Sequence, residues 1–370
     1  MRSLPKYFVA FLVFFLIQNT SAGGQILSDT ATLKMISSGI DDIYRLKFNE
    51  AQEIFNSIKI PGKEHPVVYL LQGLTVYWQN YPLLPETPAM DEFEGKMRRC
   101  IELCEEDSYS AEYEAEAVLA NICARGLLLV FYADNHMSRN VIPMASGTYK
   151  YIMRSFDFNS VFSDLYYFTG LYNYYRDAYP KFHPVYKPVA ILFPPGDLET
   201  GLRELNICAE NSILLRAEAN SILSWIYTNY ENNYEKALTY TETLTGLYPE
   251  NLFFKGLHIK NLLLLGKYDE AEKYLVLSPA ESGHPYYAAQ IKVFSAIVRE
   301  KKYGDLDMAG DLYEKALDEM VPFGNYGNEF SAYCCFGLSR LCDARGDKTG
   351  KRNYHRRAMS LASFKKISFD

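Results

Sequence analysis

The chain has 370 residues, 48% of them hydrophobic and 22% charged, which excludes a disordered or collagen-like polymer and provides for a large buried core. Its formal charge of −7 excludes the broad basic surface that nucleic acid requires. Aromatic residues make up 15%, with 31 Tyr, 22 Phe and 2 Trp, so many rings must be packed and many hydroxyls satisfied.

Residues 1–22 read as a secretory signal peptide. Arg2 and Lys6 form a positive start, Tyr7 to Ile17 is apolar, and Thr20, Ser21 and Ala22 offer small residues to a peptidase. The apolar run is too short for a spanning helix, and no Cys follows it to serve as a lipid acceptor. Removing this segment takes away Arg2 and Lys6, so the remainder is more acidic still. The stretch Ile122 to Tyr132 contains Arg125, falls short of bilayer thickness, and is expected to be a buried helix.

Residues 23–370 read as a single helical domain. Apolar spacing predicts helix pairs at 33–46 with 49–59, 66–80 with 90–105, 112–133 with 138–156, and 162–178 with 197–210. It continues with 213–230 and 234–247, 251–265 and 268–277, 285–301 and 305–320, and 328–345 and 348–363. No long alternating Val/Ile/Thr pattern is present, so the expected class is all-α. Gly266 and Gly346 suit a left-handed residue ending the first helix of a pair. Arg352, Arg356, Arg357, Lys365 and Lys366 are expected on a solvated face of the last helix.

One pattern recurs along these pairs. Gly-Lys-Tyr-Asp-Glu-Ala at 266–271 matches Asn-Asn-Tyr-Glu-Lys-Ala at 232–237, placing Ala271 34 residues after Ala237. Ala51 with Phe55, and Ala309 with Tyr313 and Ala316, repeat it, and Pro249 follows Ala237 by twelve residues. These residues resemble the tetratricopeptide repeat: clearly over 215–278 and 286–322, fairly over 33–61 and 328–362, and in degenerate form between 66 and 210. The resemblance implies a right-handed superhelical solenoid of about eight helix-turn-helix hairpins. Small residues then allow helices to approach, and aromatic residues such as Phe55 and Tyr313 fill the space between hairpins.

The rhythm breaks at 179–196, where Pro180, Pro184, Pro188, Pro194 and Pro195 predict a long extended insertion. A Tyr-rich helix precedes it. Two readings stand. Tyr172, Tyr175, Arg176, Tyr179, His183 and Tyr186 can form an aromatic ligand or peptide surface, or Phe182, Ile191, Leu192 and Phe193 can fold back as a plug over an apolar seam.

Catalytic and metal patterns are lacking. The six His residues are scattered, with no His three or four positions from another, and no HExxH occurs. Asp134, Asn135 and His136 sit at a helix end, where Asp and Asn normally cap. Residues 346–352 are one residue short of a phosphate loop and follow a helix, so they read as a hairpin turn. Glu102, Glu105, Glu106, Asp107, Glu112, Glu114 and Glu116 are expected on solvated surfaces. Seven Cys without a CxxC pair read chiefly as small packing residues, with a bridge among Cys334, Cys335 and Cys342 as the alternative. No cofactor or metal is expected. The sole Asn-x-Ser/Thr site is Asn19, in keeping with a bacterial exported protein.

The expected function is therefore a non-catalytic exported scaffold holding a protein or peptide segment, periplasmic, outer-membrane-associated or secreted, with no transmembrane segment once the signal is removed. The resemblance implies a concave groove lined by Asn220, Ser224, Tyr227, Lys255, His258 and Asn261. The alternative is an all-α sugar or peptide receptor, or an enzyme, using the aromatic region 166–195.

Overall fold

The computed structural model of the chain describes residues 26–59, 64–106, 113–276, 283–362 and 365–369, so the expected signal peptide lies outside it. The described residues are mostly helical and contain no strand. Eight hairpins follow in order. They are α1 (Thr30–Tyr44) with α2 (Phe48–Ser57), α3 (Pro66–Gln79) with α4 (Pro88–Glu105), and α5 (Glu114–Asp134) with α6 (Ser138–Phe158). The fourth pairs α7 (Tyr166–Phe182) with α9 (Leu198–Asn211), a short α8 (Lys187–Ala190) standing between them. Then come α10 (Arg216–Asn229) with α11 (Tyr234–Leu247), α12 (Leu252–Leu264) with α13 (Tyr268–Val276), α14 (Pro285–Val298) with α15 (Leu306–Glu319), and α16 (Asn325–Ala344) with α17 (Lys348–Leu361). The architecture is an all-α, tetratricopeptide-like solenoid.

The turns explain why the pairs form. Gly266 and Gly346 have φ of 67° and 77°, the left-handed conformation that glycine adopts without cost. In hairpins 1 and 3 the same slot is held by Leu46 (φ 62°) and His136 (φ 55°). All four turns close with a backbone bond reaching five residues back: Lys47 to Asp42, Met137 to Tyr132, Lys267 to Leu262 and Asp347 to Cys342, at 2.8–2.9 Å. The second helix then starts on a side-chain cap where the sequence supplies one. Asn233 Oδ1 accepts from Lys236 N, and Asp347 accepts from Thr349 N and Gly350 N. Residues 346–352 are thus a turn and a cap.

Packing follows the small-residue rule. Ala51, Ala237, Ala271 and Ala309 are completely buried. The Tyr313 ring of α15 lies on Gly337 of α16, where an added Cβ would fall 2.3 Å from ring carbons, and its hydroxyl donates to Glu300 Oε2 at 2.8 Å. One aromatic thereby locks hairpin 7 to hairpin 8.

The stack curls until its beginning meets its later hairpins. Tyr44 of α1 packs against Trp78, Tyr248 and Phe254 at ring separations of 5.4, 5.2 and 5.7 Å. Tyr248 donates to Asp41 at 2.8 Å, and Asn251 donates to the Tyr44 carbonyl at 3.0 Å while capping α12. Tyr81 meets Phe253, Tyr286 and Tyr326 in edge-to-face contacts. The inside of the curl is therefore largely packed core.

Three expectations are corrected. The segment 179–196 is mostly helical, because Pro184 opens a 3₁₀ turn and Pro188 lies in the first turn of α8, where no helical N–H is needed. Pro180 sits inside the last turn of α7 and forgoes one helical hydrogen bond without ending the helix before Phe182. Nor do its apolar residues plug a seam: Ile191 and Leu192 are 78% and 80% exposed, Phe182 is half exposed, and Phe193 packs against Tyr149. Among the described residues, α5 is long and apolar enough to cross a membrane, exceeding the short stretch read from sequence, and 72% of its most apolar window is buried. Within it Arg125 is neutralised by Glu105 at 2.7 Å and held by Asn121 at 2.8 Å.

Candidate functional site

Most of the groove residues expected from sequence are packing residues. Asn220, Ser224, Tyr227, His258 and Asn261 are all buried, and Lys255 is half-buried. Thr228 donates to Asn261 Oδ1 at 3.0 Å, and Asn261 Nδ2 donates to Ser224 at 2.9 Å, tying α10 to α12. Asn220 donates to the carbonyls of Ala209 and Arg216. His258 pairs with Thr241 at 3.1 Å and meets Tyr274 edge-on, and burial with the nearby Lys267 charge holds its pKa down at about 4. Tyr227 stacks on Tyr240 beneath Lys236. These polar positions join neighbouring helices, so their side chains are spent within the stack.

The aromatic region divides in two. Tyr179, His183 and Tyr186 gather into one cluster, with Tyr179 4.5 Å from the His183 ring and 5.3 Å from Tyr186. Tyr172 donates to the Pro194 carbonyl and Arg176 to that of Phe193, so both fasten the returning segment to α7. Tyr175 turns the other way, toward Tyr230 and Trp225. Burial pushes its hydroxyl well above the usual tyrosine range. The six residues therefore do not converge on one ligand, and Val185, Ile191 and Leu192 form a tip that faces solvent.

Acidic and thiol groups are placed as follows. Glu102 and Glu106 flank Arg99, and Glu114 pairs with Arg154. Glu116, expected in solvent, is instead fully buried, accepting from Ile26 N and Leu27 N and pairing with His65 at 3.0 Å. Asp107 and Glu112 lie outside the described residues. Asp134, at the end of α5, is raised to about 6 by burial, and Asn135 beside it donates to the Phe131 carbonyl at 2.9 Å. All seven Cys are unbridged and all but Cys342 are buried, where desolvation raises the thiols of Cys100, Cys123, Cys208 and Cys334. Among the described residues no group of three or more His, Cys, Asp or Glu converges for a metal.

The feature that sequence reasoning missed is a strip over hairpins 5, 6 and 8, crossed by the non-helical segment 365–369, which turns at Lys366 where Ile367 N donates to the Lys365 carbonyl at 3.0 Å. Lys365 Nζ donates to the Thr228 carbonyl at 2.8 Å, to Asn232 Oδ1 at 2.6 Å and to the Tyr234 hydroxyl at 2.8 Å, and stands 4.8 Å from the Tyr234 ring centre. Ile367 is buried, and Phe369 packs edge-on against Tyr333 at 5.0 Å. Arg340 donates to the Ser368 carbonyl while Glu300 grips its guanidinium in two bonds of 2.6 and 2.8 Å. The sequence places Lys365 and Lys366 on a helical face, but α17 ends at Leu361. Lys366 instead donates to the carbonyls of Met359 and Ala362 at that helix end. The spacing of Lys365, Ile367 and Phe369 at every second position, unlike the helical period of α17, is the signal that the helix has ended.

Comparison with protein-family models gives no match, and comparison with curated proteins gives none. Among solved structures, the chain is similar to the crystal structure of yeast Tom70 at 14% sequence identity and a TM-score of 0.41, covering 98% of this chain and 76% of that one.

Proposed function

We propose that the protein is a non-catalytic scaffold that binds a protein or peptide segment along its helical-hairpin surface and works outside the cytoplasm. The observation that supports this is the strip over hairpins 5, 6 and 8. It offers a fixed guanidinium for a backbone carbonyl, a lysine slot at Thr228, Asn232 and Tyr234, and an aromatic shelf at Tyr333. Such a surface recognises main chain and alternate side chains of an extended segment, which is how peptide grooves obtain both affinity and specificity. Export rests on the pattern of residues 1–22 alone.

Affinity capture of the tagged full-length chain from the cells that make it, with fractionation of the same cells, tests both parts. The expected result is a reproducible protein partner and a processed chain outside the cytoplasmic fraction. A chain recovered without any protein partner contradicts the scaffold, and an unprocessed cytoplasmic chain contradicts export.

A further inference from the structure

The strip over hairpins 5, 6 and 8 is filled by the chain itself. We infer that residues 365–369 are a resident, displaceable ligand, and that the partner is a non-helical peptide carrying the same pattern: a lysine, an aliphatic residue two positions on, and an aromatic two further. This inference rests on the scaffold reading and specifies its partner and its regulation.

Three observations carry it. The first is that the receiving groups are fixed independently of the segment. Tyr333 donates to Glu329, which also holds Lys260 at 2.5 Å, and Glu300 fixes Arg340 while accepting from Tyr313. Removing residues 365–369 would leave the Tyr333 ring and the Arg340 guanidinium held by Glu329 and Glu300. Secondly, the segment fits imperfectly. Phe369 has φ of 54°, a left-handed conformation that a bulky residue adopts only under constraint. A recess of about 470 Å³ also remains between the segment and the turn joining α12 to α13, lined by Leu263, Leu265, Gly266 and Tyr268. A better-matched peptide can fill that space. Thirdly, Lys365 spends all its donors on acceptors of hairpin 5: a backbone carbonyl, an amide and a phenol. Among the described residues no carboxylate pairs with Lys365, so the slot selects an ammonium by geometry and the Tyr234 ring, not by a surface ion pair that salt would screen.

Tethering makes the cis segment a strong competitor. A short linker gives it an effective concentration in the millimolar range, so an external peptide of equal intrinsic affinity binds the intact chain only weakly. Weakening the cis contact should expose the strip.

The test uses the intact chain and a labelled synthetic peptide of residues 361–370 in a polarisation titration. K365A, which leaves every receiving residue untouched, should bind the peptide at least tenfold more tightly than the unaltered chain. Asn232 has φ of 52°, so glycine fits there without strain; N232G in the K365A background should lose most of that gain. Amide exchange on the unaltered chain gives a second readout that needs no variant: saturating peptide should accelerate exchange at 366–369. Equal weak binding by the unaltered and K365A chains, or exchange at 366–369 unchanged by saturating peptide, overturns the inference. A partner captured from cells but cross-linked away from hairpins 5, 6 and 8 would also overturn it, yet leave the scaffold reading standing; failure to capture any protein partner would remove that reading itself.

Discussion

Glu218 shows how a single residue joins distant parts of the chain. It sits on α10 and accepts the Tyr44 hydroxyl of α1, while its other oxygen is shielded from solvent and has no hydrogen-bond partner among the described residues. Burial raises its pKa to about 7. A carboxyl whose folded pKa exceeds its unfolded value contributes stability that is complete below about pH 4.5 and is lost as pH rises through 7. E218Q keeps the acceptor and removes the charge. It should leave stability unchanged near pH 4.5 and raise it above pH 7 by on the order of 1–2 kcal/mol, a figure reduced because part of the side chain touches water. Denaturant titrations at the two pH values check this, and equal stability at both would contradict it. His258 acts in the opposite sense. Its lowered pKa contributes stability above pH 6.5 that is lost as pH falls toward 4.

At the scale of elements, the joint between α15 and α16 depends on the absence of a side chain at Gly337. G337A places a methyl group against the fully buried Tyr313 ring and should cost about 1–3 kcal/mol of stability, measured by denaturant unfolding. An unchanged midpoint would show that hairpins 7 and 8 are less closely locked than described. The helices themselves were legible in the sequence because apolar spacing, small residues at crossings and turn glycines all indicate the same hairpins. The eight pairs lie within a few residues of their expected limits, even across the degenerate stretch 66–210. Where glycine is absent, Leu46 and His136 take its turn conformation, which no local pattern announces. The proline segment misled because residue counts do not reveal where each proline falls within a turn. Residues 365–369 were masked by the basic run that precedes them, since Lys365 and Lys366 continue the charge pattern of α17 after its helix has ended.

For the molecule as a whole, the expected groove residues belong to the core between successive hairpins. Single-repeat reasoning places Asn220, Ser224 and Asn261 on an open concave face, but each is spent on an adjacent hairpin, Asn220 on Ala209 and Asn261 on Ser224 and Thr228, while hairpin 1 closes on hairpins 5 and 6 through contacts about two hundred residues apart such as Tyr248 with Asp41. The surface left for a partner shifts to the strip beneath residues 365–369 and to the apolar tip at Ile191 and Leu192. Photo-cross-linking in the cells that make the protein separates these two surfaces. A photoreactive residue placed at Tyr268, which lines the recess beside residues 365–369 and takes no part in the lysine slot, should form a protein adduct that strengthens in the K365A background, whereas the same residue at Leu192 should form little. No protein adduct from position 268 in either background would contradict a partner site on this strip.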